Sequence, residues 1–180
     1  MTRTILTYGL ISGLIIIVGI IGTIALNGGA PHDNVWLGYL IMLVALSSIL
    51  VGVKQYRDQA LGGVIRFGPA FLMGLAIALV ASLTYVAVWE VYLAATHYQF
   101  MDAYAAQVLA AKRAAGVTGP AYAKAVAEME TLRAQYANPL FRLPMTFVEI
   151  FPVGLLVALV SAALLRAPGF LPARRPVSAA

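Results

Sequence analysis

Four stretches, residues 5–26, 35–53, 67–92 and 145–165, run on with no Lys or Arg. A bilayer core about 30 Å thick is crossed by about 20 apolar residues rising about 1.5 Å each, so each stretch predicts a spanning helix. Hydrophobic residues make up 62% of the chain and the mean hydropathy is +0.89, far more than one soluble core of 180 residues can bury. The expected fold class is therefore all-α, a four-helix transmembrane bundle forming a single integral membrane domain over residues 1–180. Arg3 precedes the first run as it would in a signal peptide. The run is longer than an h-region of about 7–15 residues, and it reads as a retained span.

The cations set an orientation. The 27–34 connection, NGGAPHDN, has no Lys or Arg; the 54–66 connection has Lys54, Arg57 and Arg66; the segment after Leu165 has Arg166, Arg174 and Arg175. With Arg3 this gives seven cations on the side of the termini, against five (Lys112, Arg113, Lys124, Arg133 and Arg142) on the other. Lys and Arg resist translocation, so both termini are expected in the cytoplasm, with Lys54, Arg57 and Arg66 as the topology anchor. Gly62 and Gly63 let that loop reverse. An anion-binding reading of the loop stays open, although it lacks phosphate-loop spacing. Trp36, Trp89 and Tyr92 fall at the opposite ends of their spans, where interfacial aromatics belong. The net charge of +5 thus reflects orientation in the bilayer rather than nucleic-acid binding.

Residues 97–142 are too polar to span and too periodic for an unstructured segment. Met101, Tyr104, Val108 and Ala115 share one helical face, with Asp102 in a first turn and Gly116 as a C-terminal cap. A second helix restarts at Pro120, carries Tyr122, Val126, Met129 and Tyr136 at similar spacing, and stops at Asn138-Pro139. The expectation is an extracytoplasmic helical hairpin between spans three and four, serving either as a cap over the bundle or as a docking surface.

Three segments carry a family resemblance: YGLISGL at 8–14, GVKQYRDQALGGVIRFGPAFLMGL at 52–75 and NPLFRLPMTFVEIFPVGLLVALVSAALLR at 138–166. They resemble a bacterial family of small four-span membrane proteins, domain of unknown function 4199 (DUF4199). The resemblance implies four spans in a bacterial inner membrane. It brings no catalytic or binding residues with it.

Small residues recur every four positions in two spans, Ala70, Gly74, Ala78 and Ser82 in the third and Gly154, Ala158 and Ala162 in the fourth. Such stripes let helix backbones approach closely where lipid offers no hydrophobic drive; Gly9 and Gly13 add a short GxxxG in the first span. Two carboxylates remain. Glu90 lies about 36 Å along the helix from Arg66, at the outer boundary of the hydrocarbon, whereas Glu149 lies about 25 Å from Arg166, inside it. A charge at a helix centre costs roughly 2.5–3.5 kcal/mol on insertion scales, so Glu149 needs a partner, a proton or water. Pro152 removes a donor and frees the Val148 carbonyl beside it. Glu149, with Glu90 at the mouth, is the candidate proton or cation site; the alternative is a protonated structural acid. Both point away from the small-residue stripes and are not expected to meet between spans three and four.

There is no cysteine, which removes disulfides, iron–sulfur clusters and thiol nucleophiles. His32 and His97 both flank spans, and no HExxH, nucleotide fingerprint or Ser/His pairing is present. No catalytic, cofactor-binding or metal-ligating residue is assigned, and no cofactor is expected. The sequence favours a non-enzymatic accessory or scaffold component acting through the hairpin, in contact with the lipid bilayer and with a membrane-protein partner or further copies of itself, and not with nucleic acid. The alternative is a small homo-oligomeric transporter or channel using Glu149.

Overall fold

Backbone groups removed from water must pair within their own segment, which makes a helix of each apolar run. A computed structural model describes residues 1–28 and 34–173; His32, Arg174 and Arg175 lie outside them. Among the described residues seven helices follow one another: α1 (Thr2–Leu26), α2 (Val35–Leu46), α3 (Ser48–Ala60), α4 (Phe67–Ala95), α5 (Phe100–Ala114), α6 (Gly119–Ala137) and α7 (Pro139–Leu165). Four candidate spans result, α1, α2 continued by α3, α4 and α7. The protein is all-helical, with four helices long and apolar enough to cross a membrane.

All four spans extend beyond the limits read from sequence, the first by starting at Thr2 rather than 5. The second does not end at Val53, because Lys54 pairs with Asp58 one turn on and Arg57 Nε donates to Asp58 Oδ1 at 2.7 Å, so the charges support one another along a continuing helix. Residues 54–60 are therefore helix, and only 61–66 connect to α4. Between α2 and α3 Ser47 keeps helical dihedrals (φ −58°, ψ −20°) and its hydroxyl donates to the Val44 carbonyl at 2.6 Å, so the span continues. The third span runs to Ala95 and closes where His97 and Tyr98 take positive φ of 52° and 58°; the Tyr98 N–H then reaches the Leu93 carbonyl at 2.8 Å. The fourth begins at Pro139 rather than 145. Asn138 Oδ1 accepts from the Leu140 N–H at 3.0 Å and proline occupies the first turn, an N-terminus that needs no apolar residue to start it.

The segment between α4 and α7 holds α5 and α6, which pack on each other. Gly116 takes φ 79° and the Val117 N–H returns to the Lys112 carbonyl at 3.0 Å, the left-handed termination expected of a glycine there. Asp102 pairs with Arg133, and the Arg113 guanidinium carbon sits 4.7 Å from the Tyr122 ring centre.

The centre of the bundle is α4, packed most extensively against α1 and α7. Small residues set that approach. A Cβ added to Gly154 would lie 2.8 Å from the Ala78 Cβ, and one added to Gly74 would lie 3.0 Å from the Ala158 Cβ; α4 and α7 thus pair antiparallel through their stripes, with Ala70, Ser82 and Ala162 also fully buried. Gly9 and Gly13 face Val80, Ala81 and Thr84 on the other side of α4.

Candidate functional site

Three charged side chains at the span ends, Arg57, Glu90 and Arg142, are held by protein groups, and the Glu149 carboxylate, among the described residues, is not. Arg57 is completely buried. Beyond Asp58 it donates through Nη1 to the Phe170 carbonyl at 3.0 Å and through Nη2 to the Leu171 carbonyl, clamping the chain that follows α7. Sequence reading grouped it with Lys54 and Arg66 as loop cations anchoring the topology; in the fold Arg57 is an internal staple, because its planar fork of donors matches several carbonyls at once. Lys54 is half-buried and Arg66 is exposed at the start of α4.

Arg142 is likewise buried, 3% exposed, in the first turns of α7. Its Nε and Nη2 donate to the two oxygens of Glu90, each at 2.7 Å, and its Nη1 donates to the Tyr136 carbonyl at 2.9 Å. The Tyr98 ring centre lies 5.1 Å from the guanidinium carbon. Glu90 is thus a fully engaged carboxylate tying α4 to α7. The sequence signal for this pair is a cation near the start of one span and an acid near the end of the one before it.

Glu149 differs. Among the described residues no hydrogen bond or ion pair engages its carboxylate; it is exposed, and it lines a cavity of about 350 Å³. One wall is the N-terminal half of α2 and another the N-terminal half of α7, with α1 and α4 behind and α5 and α6 at one end. Its aromatic lining includes Tyr85, Trp89, Phe100, Tyr104 and Tyr136. Trp89 stacks on Tyr85 at 6.3 Å between ring centres and meets Phe100 edge-on at 4.9 Å, while its indole N–H donates to the Tyr136 hydroxyl at 2.8 Å. Burial pushes the Tyr136 phenol up, which keeps it a neutral acceptor for that bond. The Tyr136 carbonyl in turn holds Arg142, so the Glu90 pair braces the cavity wall. Glu90 itself is not among the lining residues; the two acids have separate surroundings. Beyond the cavity the bundle closes, with Leu46, Ile49 and Ile150 fully buried and Gly154 against Ala78.

Sequence reading placed Glu149 but missed its aromatic neighbours. A local signal existed in the four-residue spacings of Tyr85 with Trp89 and of Phe100 with Tyr104, each of which puts two rings on one helix face. That both faces line one cavity with that carboxylate is a tertiary fact.

Among curated proteins and among solved structures no match is found. The family model for "Protein of unknown function (DUF4199)" matches residues 7–167, nearly the whole chain, and the protein belongs to that family.

Proposed function

We propose that this is a non-enzymatic accessory protein of the bacterial inner membrane that works by holding a small ligand at Glu149, with α5 and α6 as the periplasmic cap of the site. One observation carries the reading: the carboxylate without a protein partner lines the aromatic cavity beneath those two helices. A bare acid at membrane depth is costly, whereas the buried charges Arg57 and Arg142 are fully engaged. The closed packing beyond the cavity favours binding over passage through a single chain. Native mass spectrometry of protein extracted in mild detergent tests this: wild type retains a non-covalent adduct that Glu149→Gln loses, and identical bare masses for both would sink the reading.

The depth of Glu149 favours one second reading, a homo-oligomeric transporter in which the same carboxylate carries a proton or cation. In liposomes that reading requires a flux that Glu149→Gln abolishes.

A further inference from the structure

We propose that the Glu149 cavity is a site for an organic cation, an ammonium group carrying an apolar body. The inference rests on the reading of Glu149 as the ligand-holding residue and specifies what it holds. The cavity brings a carboxylate and several aromatic rings to one space, and these two features recognise one chemistry. An ammonium is attracted both by the carboxylate and by the negative face of Trp or Tyr within about 6 Å of the ring centre, the more strongly where water is excluded. Tyr85, Trp89 and Tyr104 supply such rings from two helices, and all line the same space as Glu149.

Other occupants fit less well. A hard metal ion takes about six or more oxygen ligands and favours carboxylates, and here a single carboxylate shares a largely aromatic and aliphatic lining with four neutral phenols and the side chains of Thr23, Asn34 and Thr146. An anion would be repelled by Glu149. A purely apolar molecule would fill the volume but leave the carboxylate without a counter-charge once it displaced the water there. The body attached to the cation has a place as well, because buried Ile24 and Met42 line the cavity, as do Tyr39 and Met145, which are 46% and 47% exposed. The ammonium could belong to a lipid headgroup entering from the bilayer or to a free amine; the chemistry at Glu149 is the same.

The test uses matched probes on the full-length protein in dodecyl maltoside. Trp36→Phe leaves Trp89, in the cavity wall, as the single tryptophan, and its fluorescence reports binding. Benzyltrimethylammonium should bind about tenfold or more tightly than neopentylbenzene, its neutral isostere, and Glu149→Gln should erase that preference while Glu149→Asp keeps part of it. Displacement of the cation by phosphatidylethanolamine but not by phosphatidylglycerol would identify a lipid ammonium as the occupant; no displacement by either would identify a free cation. Equal binding of both probes by the wild type, with the native adduct still lost in Glu149→Gln, overturns the cation assignment and leaves the ligand site standing. Binding of neither probe overturns the cation assignment, and the adduct measurement then decides the site on its own.

Discussion

Glu90 and Arg142 make an ion pair whose strength lies in being complete. Two parallel N–H···O bonds at 2.7 Å satisfy both carboxylate oxygens, and the remaining guanidinium nitrogen reaches the Tyr136 carbonyl. Removing one partner strands the other, at a cost of about 3–5 kcal/mol for a buried pair; Glu90 keeps about a quarter of its side chain exposed, so the lower end applies. Glu90→Leu should therefore destabilise the protein by about 3 kcal/mol, while the double change Glu90→Leu with Arg142→Met recovers most of that loss. Thermal denaturation in detergent checks it, and an additive double mutant would show that the pair does not act as a unit. The residues show where sequence reading stops. Helix rise, which converts residue number into distance, separated Glu149 from Glu90 by expected depth, and in the fold the two have separate surroundings. The partner of Glu90 was not legible, since a cation ahead of an apolar run reads as the boundary of that run. Arg57 was read as a loop cation for the same reason, although three carbonyls and a carboxylate surround it.

At the scale of elements, α4 and α7 touch where both lack bulk. Gly154 against Ala78 and Gly74 against Ala158 bring the backbones closer than larger side chains permit. Gly154→Val must push apart two helices that are otherwise packed along their length, and overpacking of this kind costs about 1–3 kcal/mol. Gly22 provides the contrast: it lies inside α1, and among the described residues a Cβ there meets nothing within 4 Å. Gly22→Ala should be neutral or stabilising by up to about 1 kcal/mol through helix propensity alone. Comparing the two melting temperatures in one detergent separates contact from propensity; equal shifts would remove the packing account of Gly154. The stripes themselves were legible, because a four-residue spacing fixes a helix face. Their pairing with each other inside one chain was not, since lipid, a second copy or a neighbouring helix present the same demand to such a face. Helix ends were the least legible of all. Asn138 and Pro139 start α7 through a cap that hydropathy does not register, and Asp58 carries α3 onward by neutralising the cations that hydropathy reads as a stop.

For the whole molecule the remaining quantity is orientation, which decides what the cavity faces. The folded positions of Arg57 and Arg142 do not weaken the charge argument, because Lys and Arg act on topology while the chain is being inserted, before either residue has found its partners. Both still count, one on each side, and the excess stays with the termini and the 61–66 connection. The absence of cysteine gives a direct measurement. Gln59, exposed near the end of α3, and Lys124, 78% exposed on α6, can each be changed to Cys without disturbing a buried contact. A membrane-impermeant maleimide applied to intact spheroplasts should label Lys124→Cys and spare Gln59→Cys until the membrane is opened. The reverse pattern would invert the molecule and place the Glu149 cavity on the cytoplasmic half. The consequence for the ligand site is specific, because α5 and α6 line one end of that cavity and Lys124 marks the side on which they lie. Labelling of Lys124→Cys from outside therefore places Glu149 in the outer half of the bilayer, reachable by a cation from the periplasm or from the outer leaflet and separated from the cytoplasm by the Gly154–Ala78 contact.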